Sequence, residues 1–136
     1  RLLKSTIQTN LGISSLNLNP KHLRVVLDGM NKVTNGSRGT ARGVSRPSSS
    51  FRFGGKTGSV QVKRISLDDR RVGNVKNKDK PWAERDHAMF VGYAPLNSPR
   101  YVVSVVVEHG GGGSTMAAPI ARDILKKTIE LDPVAL

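Results

Sequence analysis

Cysteine is absent from the 136 residues, which excludes a disulfide framework and any thiolate metal site and leaves the redox compartment open. Long hydrophobic runs are absent too. The longest, Tyr101-Val-Val-Ser-Val-Val-Val107, is far short of the roughly 20 residues a membrane-crossing helix needs, so no membrane span is expected within the chain. The chain opens at Arg1 rather than at a methionine, with no leader-like segment, and is read as a piece of a longer polypeptide. Acidic residues are scarce, at 10 against 22 Lys and Arg, for a net charge of +12. The imbalance is uneven: residues 1–56 carry ten basic residues and one acid, residues 63–86 eight and five, residues 87–136 four and four. Such an excess can attract nucleic acid, an anionic membrane surface or an acidic polymer. Aromatics are also few, six in all, too few to interleave with the basic residues along a base-stacking platform, so no nucleic-acid partner is expected.

What is present has a clear periodicity. Asn19-Pro20 supplies an N-cap and a first-turn proline, and Leu23, Val26, Leu27, Met30 and Val33 recur at helical spacing, so the pattern predicts a helix over 20–34 that stops at Asn35-Gly36. Residues 36–50 are rich in Gly, Ser, Arg and Pro without periodicity and read as a loop. A period of two then predicts a strand over 55–65, with Val60 and Val62 on one face and Ser59, Gln61 and Lys63 on the other. The charged stretch 66–86 reads as a long loop. Residues 87–94 and 100–108, joined by Pro95-Leu-Asn-Ser-Pro99, read as an antiparallel hairpin within 87–108 whose strands are apolar on both faces, so both faces should be covered. A final helix is expected over 115–131, capped by Ser114 or Thr115, with Pro119 in its first turn and Ile120, Ile124, Thr128 and Leu131 on one face. All 136 residues are assigned to one unit, an α/β fold with an antiparallel sheet and flanking helices.

Among the short strings, Lys56-Thr57-Gly58-Ser59 at the strand entry carries the most chemistry. Alone it is weak and reads more readily as a strand start with a snorkelling lysine. As a strand it sends Thr57 and Ser59 to one face and Lys56 to the other or to the sheet margin. Two hydroxyls and a nearby cation suit a carboxylate, and Gly58 leaves room for an extended ligand to lie alongside as an added strand. Gly110–Gly113 lacks the Lys-Ser/Thr of a phosphate loop and reads as a hinge-like turn. His22, His87 and His109 share no metal-ligand spacing, and Trp82 reads as an anchor for the 66–86 loop on its own domain.

Lys56-Thr-Gly58 is one of three sequence elements shared by serine β-lactamases and penicillin-binding proteins. Around it, Phe53-Gly-Gly-Lys-Thr-Gly-Ser-Val-Gln-Val62, Asp86-His-Ala-Met-Phe-Val-Gly-Tyr-Ala-Pro95, Val105-Val-Val-Glu-His-Gly-Gly-Gly-Gly113 and Ala117-Ala-Pro-Ile-Ala-Arg-Asp-Ile-Leu125 resemble consecutive blocks of class B penicillin-binding proteins of the penicillin-binding protein 2 type. Leu23-Arg-Val-Val-Leu-Asp-Gly-Met30 and Gly39-Thr-Ala41 resemble them as well. The resemblance implies the C-terminal part of a transpeptidase domain, its last three antiparallel strands and flanking helices. It implies a D,D-transpeptidase that cross-links stem peptides ending in D-Ala-D-Ala and is acylated by β-lactams.

On that reading Lys56, Thr57, Gly58 and Ser59 bind substrate, Lys56 acts electrostatically or as a proton relay, and the Ser59 backbone N–H is an oxyanion-hole donor. No metal or organic cofactor is implied. The setting would be the periplasmic side of the inner membrane, with an anchor outside this chain and cell-elongation membrane proteins as partners. The family's nucleophile sits in Ser-x-x-Lys, and no serine here has lysine three positions on, so the chain alone should be inactive. Ser15-Leu16-Asn17 matches the family's Ser-x-Asn only in letters, because it precedes Lys56 by far too little. A D,D-carboxypeptidase or serine β-lactamase, and a non-catalytic interaction module, are the alternatives. The family would pair the outer side of the 100–108 strand with a strand this chain lacks, so self-association through that edge is expected.

Overall fold

In the computed structural model of the chain, residues 16–45, 51–64, 66–73 and 75–132 are described. Helix α1 runs over Pro20–Asn35, where the Asn19 side chain accepts from the Lys21 N–H at 2.9 Å and proline holds the first turn. It ends where the Gly36 N–H reaches the Lys32 carbonyl, at 3.0 Å. Its anticipated apolar stripe is only partly covered: Leu27, Met30 and Val33 are half-buried, Leu23 and Val26 are exposed, and the one fully buried side chain is Thr34. Gly36–Ser45, expected as irregular loop, is a series of tight turns folded back on the helix end, with the Ala41 N–H donating to the Val33 carbonyl at 3.0 Å. The remainder of that loop, residues 46–50, lies outside the described residues, as do Ser15 of the Ser-x-Asn string and residues 1–14.

Three strands make one antiparallel sheet in the order β1-β2-β3, with β1 Gly54–Val60, β2 His87–Ala94 and β3 Tyr101–Val107. The predicted strand over 55–65 is thus shorter. Its register with β2 runs from Gly54 opposite Tyr93 to Val60 opposite His87, and β2 begins there, so Gln61 to Arg64 meet no partner strand. The excursion that follows, expected as a long loop, carries short helical segments. It contains helix α2, Leu67–Val72, and 3₁₀ turns at Asn77–Asp79 and Trp82–Glu84. Polar contacts tie it down: Lys63 to Glu84 at 3.0 Å, Lys80 to Asp86 at 3.1 Å, and the Asp86 N–H to the Asn77 side chain at 2.9 Å.

Directly opposed residues of antiparallel strands share a face. Thr57, Phe90 and Val105 therefore form one row across the sheet, and Lys56, Val91 and Ser104 lie in a row on the opposite face. Helix α3, Ala118–Leu131, covers the first face, where Phe90, Ala88, Ala94 and Val105 pack with Ala117, Ala118, Ala121 and Leu125. The opposite face departs from the expectation that both would be covered. Tyr93 is buried there and its hydroxyl donates to the Leu27 carbonyl of α1, but Val102 is 77% exposed and Val106 54%. Among the described residues, no element lies over that part of the sheet.

The last helix also differs from its forecast. Gly113–Ala117 forms a π-helical turn, the helix proper follows at Ala118, and Thr115 donates to the Gly112 carbonyl rather than capping. Ile120, Ile124 and Leu131 are exposed, while Ala118, Ala121 and Leu125 face the sheet. Both stripes have helical spacing. The one rich in alanine lets the helix approach Phe90 closely, and that contact selects it.

Candidate active-site wall

Strand β1 is an edge of the sheet, and its outer side bears no partner strand among the described residues. On this edge stand the four residues singled out from the sequence. Lys56 is exposed on the face away from α3, and its ammonium donates to the Thr57 carbonyl at 2.7 Å. Thr57 is half-buried and Ser59 exposed, both on the other face, so the alternation inferred from the motif holds. Gly58 lies between them, half-buried against Met89. The strand entry is fixed from α1: the Thr34 hydroxyl donates to the Phe53 carbonyl at 2.6 Å and the Asn35 amide to the same oxygen at 2.9 Å. Phe53 itself is fully buried, edge-on to Phe90. The far side of β1 is backed by the π turn, where a Cβ on Gly113 would come within 2.5 Å of the Gly58 carbonyl and 2.4 Å of the Met89 carbonyl. The absence of a side chain at 113 is what allows the turn to sit directly on the strand backbone.

One neighbour of the motif was not singled out by chemistry. The Thr40 hydroxyl lies 3.1 Å from that of Thr57. Thr40 belongs to a segment without periodicity, and only its place in the Gly39-Thr-Ala41 string could have flagged it.

A second polar cluster closes the other end of the hairpin. The His87 and His109 rings lie 4.8 Å apart, the His109 N–H donates to His87 Nδ1 at 2.8 Å, and His109 Nδ1 meets the Arg85 carbonyl at 3.0 Å. A carbonyl only accepts, so His109 carries its proton on Nδ1, and His87 Nδ1 is unprotonated. Trp82 lies tilted against His109, with ring centroids 4.3 Å apart, and so fastens the excursion to the hairpin, the anchoring role assigned to it, although the ring remains 63% exposed. The pairing of these histidines follows from the hairpin register, which sets Ala88 opposite Val107 and so brings His87, the first residue of β2, beside the chain just past the end of β3. His22 is exposed on α1, far along the chain from the pair. Among the described residues no three candidate ligands converge on a metal position.

Residues 3–126 match the family model described as the penicillin binding protein transpeptidase domain, and the chain belongs to that family. Its relatives are of the penicillin-binding protein 2 type foreseen from the sequence. It is 39% identical over 97 residues to the peptidoglycan D,D-transpeptidase MrdA of Haemophilus influenzae, covering 71% of this chain and 14% of the relative. MrdA of Acinetobacter baumannii is 34% identical over 85 residues, covering 60% and 12%. Among solved structures, Pseudomonas aeruginosa PBP2 in complex with WCK 5153 superposes with a TM-score of 0.63 at 36% identity, over 85% of this chain and 21% of that one. The Helicobacter pylori PBP2 in complex with MreC gives 0.64 at 31% identity, over 84% and 19%. The chain thus spans about one-seventh of the curated relatives' length.

Proposed function

We propose that this chain forms the Lys-Thr-Gly wall of the active site of a peptidoglycan D,D-transpeptidase, with the nucleophilic serine supplied by a part of the protein outside residues 1–136. The observation that carries the reading is the placement of Lys56, Thr57 and Ser59 on an edge strand whose outer side is open among the described residues, with two hydroxyls on one face and, from the opposite face, a cation that reaches the Thr57 carbonyl. A donor stem peptide lies along β1 as an added strand. Its terminal carboxylate accepts hydrogen bonds from the Thr57 and Ser59 hydroxyls, and the Lys56 ammonium strengthens that anion's binding. The Ser59 backbone N–H stabilises the oxyanion that develops when the serine attacks the carbonyl of the penultimate D-alanine. The C–N bond to the last D-alanine breaks, that residue leaves as the free amino acid, and an acyl ester remains on the serine. The amine of a neighbouring stem then attacks the ester, forming the cross-link and restoring the hydroxyl. A β-lactam presents the same carboxylate and an amide that opens to a slowly hydrolysed acyl ester.

An amine acceptor rather than water is favoured by the relatives, which are named D,D-transpeptidases. The periplasmic face of the inner membrane is the corresponding setting. The MreC complex of the Helicobacter pylori neighbour supports elongation proteins as partners of the whole protein. The test is Lys56→Ala in the full-length protein that carries this chain. Acylation by a fluorescent penicillin should slow by about 100-fold or more, with little change in melting temperature because Lys56 is exposed. An unchanged acylation rate would refute the role assigned to Lys56, and absence of any labelling of the unaltered protein would favour a non-catalytic interaction module.

A further inference from the structure

We propose that Thr40 is a positioning residue that aims the Thr57 hydroxyl at the substrate carboxylate; this rests on the assignment of Thr57 to carboxylate binding. The two side-chain oxygens lie 3.1 Å apart, and either can be the donor when nothing is bound. A hydroxyl has one proton and two lone pairs, whereas an ionised carboxylate can only accept. Once a carboxylate binds, the Thr57 proton must point at it, so the contact between the threonines has to be donated by Thr40. The result is a one-way pair: Thr40 O–H to Thr57 Oγ1, and Thr57 O–H to the ligand. Each bond polarises the next and strengthens it. Without Thr40 the Thr57 proton is free to rotate among other acceptors, and part of the binding advantage is lost.

The turn that carries Thr40 is built to hold it. A Cβ on Gly39 would come within 2.3 Å of the Val33 carbonyl and 2.4 Å of the Lys32 carbonyl, so this residue is pressed against the end of α1. On the other side Ala41 is 1% exposed and donates its N–H to Val33. Thr40 therefore sits between two immobilised neighbours. The same helix end holds β1 through Thr34 and Asn35 on the Phe53 carbonyl. One structural unit thus sets the separation of both hydroxyls, although the two residues are 17 positions apart in sequence. Thr40 is exposed, so its removal takes no apolar packing from the core.

The experiment is a double-mutant cycle on the rate of acylation by penicillin in the full-length protein carrying this chain, using Thr40→Val, Thr57→Val, both together, and Thr40→Ser. Thr40→Val should slow acylation about fivefold to tenfold, Thr40→Ser should restore most of the rate, and Thr40→Val should add nothing once Thr57 is valine. A full rate for Thr40→Val while Thr57→Val is slow overturns the positioning role alone. An equal loss from Thr40→Val in both backgrounds also overturns it, because Thr40 would then act independently of Thr57. If Thr57→Val itself leaves acylation unchanged, the carboxylate assignment fails and the positioning role falls with it.

Discussion

At the scale of single residues, the site depends as much on a missing side chain as on those present. The π turn rests on β1 only because position 113 has no Cβ, with the Gly58 and Met89 carbonyls 2.5 and 2.4 Å from where one would be. Backbone atoms cannot swing aside as a flexible side chain can. Gly113→Ala should therefore push the turn off the strand, with a cost of about 1–3 kcal/mol measured by denaturant unfolding. It should also slow penicillin acylation in the full-length protein, and unchanged stability would show that the turn yields freely. The motif residues themselves were legible because strand alternation is a strict rule: Lys56 and Thr57 had to diverge, and they do. Thr40 was not legible as a site residue. A turn has no periodicity to project a side chain across, and its neighbour is 17 residues away.

The elements divide in the same way. Helix α1 and the hairpin were readable from caps, proline placement and apolar spacing, because these signals are local. The face of α3 was not, since Ile120-Ile124-Leu131 and Ala118-Ala121-Leu125 are both spaced for a helix, and only the sheet decides between them. Leu125 is 1% exposed and Ile124 46%. Leu125→Ala should cost about 2–5 kcal/mol, and Ile124→Ala no more than about 0.5–1 kcal/mol. Unfolding midpoints of the two variants in reverse order would put the wrong face on the sheet. The extent of β1 was overestimated for a related reason: apolar alternation continues through Val62, but strand pairing stops where β2 begins. The ends of β3 and α3 are joined by a contact that no pattern could show. The Tyr101 hydroxyl donates to Asp132, which also pairs with Arg100 at 2.9 Å. The hydrogen bond to Asp132 holds the Tyr101 phenol above its ordinary pKa.

At the scale of the whole molecule, the outer sides of both edge strands and the part of one sheet face around Val102 and Val106 are open among the described residues. The outer side of β1 is the proposed substrate edge, and β3 offers an outer edge with Val102 and Val106 exposed beside it. Val103 and Val105 point under α3 instead, half-buried and buried respectively. An apolar edge without proline recruits other strands. The isolated chain should therefore self-associate at micromolar concentrations, and Val102→Lys or Val106→Lys should shift it toward monomer without unfolding it. Sedimentation of the unaltered chain as a strict monomer would contradict this. The same openness agrees with the small share of its relatives that the chain spans, since the proposed acyl-transfer site needs a second wall to carry the serine. The measurement that bears most directly on the central claim is peptide mapping of the penicillin adduct. The full-length protein should be labelled stoichiometrically at a serine outside residues 1–136, and the isolated chain should not be labelled. An adduct on any serine within this chain would mean that it carries its own nucleophile, and would contradict its assignment as the Lys-Thr-Gly wall alone.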